Sequence, residues 1–451
     1  VRADVYARCS KDGATETGMD SISSTLFLLL GLIALLHVGL HGTLVWENRR
    51  FAVRRLKKGP EPAEIGHVSL YAPCKGLDEG LTDNLRALFE QEYTSFDLTF
   101  VVESGDDPAC PTIRRLMAEY PHIVSRVLVA GLATDSGQKV HNLLVATSSL
   151  DPDTVALAFV DSDARPHPGW LGKLVSRLDK SETGATTGYR WFIPSRPTLS
   201  NCLLHSVNCA VATLFGPGGH FLVWGGSWAI RRDTFEGLNL RDAWRGTLSD
   251  DLVASRVLRR AHLSIEFIPE CMVASPLDAD WSHMLEFIRR QYIIGRFYVP
   301  GYWFAALLVS TVANAAFWGS LSVGLIGLLV GSPAAHWALG LCGLLYAGHI
   351  ARGLFRQSLG ASYFPQRRQQ MLWPARFDIL AGPVISLANW LGLVSSCWGN
   401  EVRWRGVHYR LRRDGHITIL GRTPLVEPKR DAQLTGPHFD RRRPKTSPRG
   451  R

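Results

Sequence analysis

The chain has no Cys-x-x-Cys pair, and its eight cysteines are scattered rather than grouped in a ligand framework. Zinc ribbons and disulfide frameworks are therefore excluded, which suits a reducing compartment. Also missing are the Gly-x-Gly-x-x-Gly turn of dinucleotide binders and the Gly-x-x-x-x-Gly-Lys loop of NTPases. That removes dehydrogenases and P-loop enzymes. No internal repeat at solenoid periods is present. The formal charge is +10, yet no basic stretch is interleaved with aromatics, so nucleic acid is not the expected partner. The charge gathers beside apolar segments and in the tail, where anionic lipid headgroups would meet it.

Charge itself is absent from two long stretches. Ile22 to Trp46 and Phe297 to Ala351 contain no Asp, Glu, Lys or Arg. The second is long enough for two crossings of a hydrocarbon core about 30 Å thick, with Gly331-Ser332-Pro333 as the hairpin between them. Arg49, Arg50, Arg54, Arg55, Lys57 and Lys58 follow the first span. Arg289, Arg290 and Arg296 precede the second, and Arg352, Arg356, Arg367 and Arg368 follow the third. The positive-inside rule assigns all three clusters to the cytoplasm. A cleaved signal would carry its basic residues ahead of the apolar run, so the first span is expected to be a retained anchor. Ile379 to Trp398 is apolar too, but Gly382-Pro383 interrupts it and basic residues flank both sides. It reads as a re-entrant or interfacial element.

The expected plan is an N-terminal extension over 1–21, a span over 22–46, a basic juxtamembrane linker over 47–66 and a cytoplasmic domain over 67–296. Two spans over 297–351, a basic linker with the re-entrant or interfacial segment over 352–420, and a disordered basic tail over 421–451 complete it. A transporter is disfavoured because the spans lack paired charges.

Within 67–296 the pattern alternates strand and helix. Strands are predicted over His67–Ala72, Asp97–Val102, Val124–Ala130 and in the apolar run Thr154–Val160, with helices near Leu81–Phe89, Thr112–Glu119 and Lys139–Thr147. Such units imply an α/β fold with a mostly parallel sheet covered on both faces. The last run ends in Asp161-Ser162-Asp163. Ligands of such sheets sit beyond the carboxyl ends of the strands. Two carboxylates there suit a hard divalent cation, Mg²⁺ or Mn²⁺, that takes its other ligands from phosphates and water. A surface turn is the competing reading of so short a pattern.

Other candidates lie at the same expected edge. Pro73, Lys75 and Gly76 form a cationic, flexible turn after the first strand, and Glu103 and Asp106 follow the second. Gly137-Gln138-Lys139 opens a helix, where a lysine and a helix N-terminus attract phosphate. Gly225, Gly226 and Ser227 lie between two tryptophans, a place for close backbone approach. Asp250 and Asp251 begin a helical pattern, as a cap or as a general base for an acceptor hydroxyl. Arg289, Tyr292 and Arg296 share one helical face before the second span, facing diphosphate or headgroups.

These features, in this order and spacing, resemble a family 2-type glycosyltransferase, and most of all its ceramide glucosyltransferase branch. The resemblance runs from Val68, through Pro73-Cys74-Lys75-Gly76, Asp106-Asp107-Pro108, Lys139 to Leu143, Asp161-Ser162 and Asp250-Asp251, to Trp404-Arg405-Gly406-Val407-His408-Tyr409-Arg410-Leu411-Arg412. It implies a GT-A nucleotide-sugar-binding fold. It implies metal and donor diphosphate at Asp161 and Asp163, donor contacts from Pro73, Lys75, Gly76, Glu103, Asp106 and Lys139, and Asp251 as catalytic base. Gly225, Gly226, Ser227, Asp250, Arg290, Gln291 and Arg296 fall on the acceptor side. Ser104 stands where the family has its first aspartate, with Glu103 and Asp106 beside it. The family's (Q/R)-x-x-R-W signature is not intact: Arg290 or Gln291 supplies its start and Arg296-Phe297 stands a turn further on. The expectation is an inverting transfer of glucose from a UDP-sugar donor to a membrane lipid acceptor such as ceramide, at the cytoplasmic face of the bilayer. A hopanoid or other lipid taking N-acetylglucosamine is the alternative. A processive polysaccharide synthase and an inactive scaffold rank below both.

Overall fold

The structure, a computed structural model, describes residues 29, 31–57, 64–219 and 221–423. The expected N-terminal extension, the start of the first span and the tail from 424 lie outside the described residues. Helix α1 (31–57) leads into β1 (His67–Pro73), α2 (Leu81–Phe89), β2 (Phe96–Val102), α3 (Cys110–Glu119) and β3 (Ser125–Val129). Then come α4 (Gln138–Ala146), β4 (Thr154–Val160), α5 (Trp170–Val175), β5 (Thr183–Pro194), α6 (Leu199–Ala212) and β6 (Ser227–Arg231). Helices α7 (Arg232–Gly237), α8 (Leu240–Trp244) and α9 (Asp250–Arg260) precede β7 (Ser264–Leu277) and α10 (Trp281–Tyr298).

These strands form one sheet in the order β3-β2-β1-β4-β6-β5-β7, parallel except for β6. The predicted strand-helix series over 67–161 agrees with it to within a residue or two at most ends. The physical basis is burial on both faces. Val68, Leu70 and Ala72 of β1 enter one core with Ala156, Ala158 and Val160 of β4, while Tyr71, Leu157 and Phe159 enter the core on the opposite face. Buried parallel strands therefore read as continuous apolar runs. Helix α2 buries Leu81, Leu85, Leu88 and Phe89, a spacing that places one stripe on the sheet.

Two further helices, α11 (Pro300–Leu329) and α12 (Ala334–Tyr363), are long and apolar enough to cross a membrane by length and composition. They approach closely where Gly324 meets Leu339 and Gly327 meets Ala335, the small-residue contact of membrane helix pairs. Helix α1 packs on them: Ala34 shares a cluster with Phe317, Cys342 and Leu345. Helices α13 (Leu372–Leu380) and α14 (Gly382–Ser395) meet at 85° around the Gly382-Pro383 break.

The basic linker expected over 352–420 takes a different form. Helix α12 continues through Arg352 and Arg356, and residues 401–422 form a three-stranded antiparallel sheet of β8 (Glu401–Trp404), β9 (Val407–Leu411) and β10 (Ile417–Arg422). The expected tail thus begins as a strand at 421 and 422. Val402, Val407, Tyr409, Leu411 and Ile417 join the core shared with α4 and α9. This small sheet is held against the start of α4 by Tyr409, whose hydroxyl accepts from Gln138 N at 3.1 Å.

Candidate active site

The site grows from the end of β4. Val160 pairs with Ser227 of the antiparallel β6, which sets the Trp224-Gly225-Gly226 turn directly against Asp161. Asp161 N donates to Gly226 O at 3.4 Å. A second close approach brings α4 to the start of α9. Gly137 N donates to Thr247 O at 2.8 Å, and a Cβ on Gly137 would lie 2.9 Å from Leu248 Cδ1. Lys139, the second residue of α4, is thereby placed between the two acidic pairs.

Its ammonium sits 2.8 Å from Asp161 Oδ1 and 3.3 Å from Asp250 Oδ1, and donates to Gly225 O at 3.1 Å. Burial works against charge on Lys139, but Asp161, Asp250 and Asp251 override it and raise its pKa above the ordinary lysine value. Asp161 is held below the ordinary carboxylate range: burial opposes ionisation, and Lys139, then Arg190 and Arg405, outweigh it. Asp163 moves up, because burial and repulsion from Asp161 and Asp78 exceed the pull of Arg190 and Arg405. Its Oδ2 pairs with Arg190 at 3.2 Å, while its Oδ1 is buried without a partner.

Asp250 and Asp251 differ sharply although adjacent. Ser249 caps α9, its hydroxyl oxygen accepting from Leu252 N at 3.3 Å. Asp251 is half-buried and accepts from Gly225 N at 2.9 Å, from Leu252 N at 2.8 Å and from the Ser249 hydroxyl. Asp250 is 2% exposed, and its Oδ2 has no partner. Burial, followed by repulsion from Asp251 and Asp161, pushes its pKa to about 7 in spite of Lys139. Gly225 is the point where these groups converge. A Cβ there would lie 2.7 Å from Lys139 Nζ and 3.1 Å from an oxygen of each aspartate.

The turns after β1 and β2 are tied to each other. Lys75 pairs with Glu103 at 2.6 Å, and Gly76 N donates to Asp107 Oδ1 at 2.9 Å. Asp107 is buried in this structural role, whereas Asp106 is exposed at the rim. Pro73 ends β1 with its side chain buried. Gly226 lies against Asp161, where a Cβ would come within 2.9 Å of Oδ2. Ser227 is fully buried and accepts from Trp170 Nε1 at 2.9 Å, a packing position behind the site.

The α10 candidates separate by helical phase. Arg290 turns toward the site, stacking on Phe287 at 5.2 Å and Trp404 at 5.7 Å. Burial, with Arg190 and Arg405 nearby, brings its pKa down to about 10. Arg296 instead donates to the carbonyls of Cys397 and Gly399. It lines a cavity of about 900 Å³ with Arg412 and Arg413, apart from the aspartates. Gln291 is exposed.

Three residues at the site carried no assignment from sequence. Arg190 of β5 faces Asp163 and stacks against Phe192, Trp224 and Phe287. Asp78 and Arg405 form a pair at 2.6 Å. Nothing local marks Arg190 or Asp78, while Arg405 lies in the Trp404–Arg412 segment already singled out. Among the described residues no group of three or more His, Cys, Asp or Glu is assembled for a metal. The orphaned Asp163 Oδ1 beside Asp161 nevertheless fits a hard cation that draws its remaining ligands from phosphate and water. Around these carboxylates Lys139, Arg190 and Arg290 gather charge and donors of the kind that would suit a diphosphate.

A family model described as glycosyl transferase family 21 matches residues 27–417. Ceramide glucosyltransferase 1 of Caenorhabditis elegans is 34% identical over 98 residues, which cover 21% of this chain and 21% of that protein. The ceramide glucosyltransferase of Komagataella phaffii is 29% identical over 133 residues, 28% of this chain and 26% of that one. That of Gibberella zeae is 24% identical over 207 residues, 43% and 38% respectively. The chain thus spans about a fifth to two fifths of the length of these relatives. Among solved structures, the mannosyltransferase PcManGT from Pyrobaculum calidifontis, in complex with GDP-Man and Mn²⁺, is 14% identical. The likeness covers 82% of this chain and 99% of that one, with a TM-score of 0.41.

Proposed function

The chain belongs to glycosyl transferase family 21, and from that premise we propose that it transfers glucose from UDP-glucose to the hydroxyl of a membrane lipid such as ceramide. The observation that carries the reading is the convergence on Gly225 of Lys139, Asp250 and Asp251, with Asp161 bound to the same lysine. A GT-A-type domain would bind the donor at the β4 end of the sheet. Asp161 and Asp163 would hold Mg²⁺ or Mn²⁺, which when bound neutralises charge on the diphosphate. Lys139 and Arg190 keep the two carboxylates oriented and offer the phosphates charge-assisted donors.

Asp251 is the base. The N–H groups of Gly225 and Leu252 fix its orientation, and its partial exposure lets an acceptor reach it. It takes the proton of the lipid hydroxyl, whose oxygen bonds to the sugar C1 as the C1–O bond to the diphosphate breaks. UDP leaves with that electron pair, and in-line attack inverts the anomeric centre. Asp250 serves a different purpose, balancing the charge of Lys139 from within the core.

The same domain is packed against α1, α11 and α12, which supports delivery of the acceptor from the bilayer. Asn48 of α1 donates to Thr213 O at 3.0 Å, joining that helix to the end of α6. The basic residues at the end of α1 and on α10 support a cytoplasmic site. The names of the ceramide glucosyltransferase relatives favour ceramide as acceptor. The test is Asp251→Asn, which should abolish transfer while UDP-glucose binding by calorimetry stays within about threefold of wild type. Substantial transfer by the variant would remove Asp251 from the role.

A further inference from the structure

We infer that the C-terminal β-hairpin is part of the catalytic unit, with Arg405 at its tip positioning the Asp161-Ser162-Asp163 turn through Asp78. The inference rests on the glycosyltransferase reading above and adds residues to which that reading gives no role. The Arg405 guanidinium donates to Lys75 O at 3.0 Å and to Asp78 Oδ1 at 2.6 Å. The other oxygen of Asp78 accepts from the Ser162 hydroxyl at 2.6 Å. Ser162 is the middle residue of the two-aspartate turn, so a single carboxylate joins the hairpin to it. Asn84 closes the opposite side, donating to Ser162 O at 3.2 Å.

The hairpin is built for this reach. Trp404 pairs with Val407, leaving Arg405-Gly406 as a two-residue turn, and such turns need positive φ at both positions. Gly406 has φ 76° at no cost, but Arg405 adopts φ 49° despite its Cβ. Asparagine or glycine would fit that position better, so a long cation is held there against local preference. The body of the hairpin is fixed by Tyr409 on Gln138 N, and beside it Arg422 of β10, which pairs with Val407, donates to Ala133 O at 2.7 Å. Both contacts touch the segment that carries Lys139. The hairpin therefore braces the Lys139 helix with its body and the two-aspartate turn with its tip. A competing reading makes the Arg405–Asp78 pair a plain staple of the fold.

The two readings part on locality and on additivity. Arg405→Ala, Ser162→Ala and their double variant would be compared with wild type by hydrogen–deuterium exchange and by steady-state kinetics. The expected result is faster exchange in peptides covering 160–166 in each variant, with β5 and β7 unchanged. It includes a fall in kcat on the order of 10²-fold, a smaller change in KM for UDP-glucose, and a double variant no worse than the worse single one. Ser162→Ala removes only a hydroxyl and keeps the test valid should Arg405→Ala fold poorly. Arg405→Lys, which keeps the charge but lacks the two-pronged donor geometry, should leave kcat low. Unchanged exchange over 160–166, or additive losses tracking a general drop in melting temperature, would overturn the inference. A wild type without transfer that still shows the local exchange response would sink the substrate reading and leave the positioning contact standing.

Discussion

Replacing Asp250 with asparagine should make the protein more stable at alkaline pH, and the gain should shrink in acid. The carboxyl is buried beside one lysine and two other aspartates, and its pKa rises from 3.8 to about 7. Between those values the native chain holds a proton that the unfolded chain releases. Stability contributed by this group is therefore lost as pH rises from about 4 to about 7. The full displacement corresponds to about 4 kcal/mol above neutrality. Asparagine escapes that cost but gives Lys139 a weaker partner, so about half remains as net gain, near 2 kcal/mol. In detergent, a thermal melt at pH 8 should show the variant a few degrees above wild type, with the gap narrowing at pH 5. A variant less stable at pH 8, or a gap indifferent to pH, would refute the electrostatic argument. Transfer by the variant should fall by less than about tenfold, since Asp251 remains. If Asp250→Asn were as inactive as Asp251→Asn, the base would have to be Asp250.

Further outcomes follow from the same geometry. Gly225→Ala puts a methyl 2.7 Å from Lys139 Nζ, so transfer should drop by about 10²-fold with little change in melting temperature; wild-type kcat would contradict the convergence described. Asp163→Asn removes the carboxylate that holds the orphaned oxygen, and the Mn²⁺ concentration for half-maximal activity should rise about tenfold or more. An unchanged titration would exclude Asp163 as a ligand. Asp378 is fully buried and accepts from Arg356 at 2.8 and 2.7 Å and from Gln357 at 2.7 Å. Asp378→Asn should cost roughly 3–5 kcal/mol, visible as a large fall in the melting midpoint, and an unshifted midpoint would speak against that network tying α12 to α13.

The first half of the sheet was legible because β1, β2 and β4 bury both faces and appear as apolar runs ending in turn residues. Five-residue β6 gave no such signal. Its antiparallel pairing with β4, which brings Gly225 to Asp161, depends on contacts far apart in sequence. Strands β8 and β9 were obscured by Glu401, Arg403 and Arg410 on their outer face, although Val407, Tyr409 and Leu411 repeat every second residue on the inner one, with Val402 opposite Tyr409. The turn between them is Arg-Gly rather than Asn-Gly, so the usual hairpin cue was missing.

Site residues divide in a similar way. Asp161, Lys139, Asp250, Asp251 and Gly225 stand at strand ends and helix starts, where local pattern points, and the fold brings them together. Arg190 is a mid-strand residue whose neighbours come from the turn after β4, from α10 and from the turn before β6, and no local pattern encodes that. On α10, spacing grouped Arg289 and Arg296, and both do bind carbonyls of the 397–399 segment. The phase that sends Arg290 alone toward Trp404 depends on where α14 and the hairpin pack. Asp106 and Asp107 were indistinguishable as sequence, and only burial separates them.

The most direct test of the central claim is a transfer assay on the purified protein with radiolabelled UDP-glucose, Mg²⁺ or Mn²⁺, and ceramide in mixed micelles. Label should move into the organic phase with wild type and not with Asp251→Asn. Label that stays aqueous with wild type, from ceramide and from total lipid extract alike, while UDP-glucose still binds, would contradict a lipid glucosyltransferase.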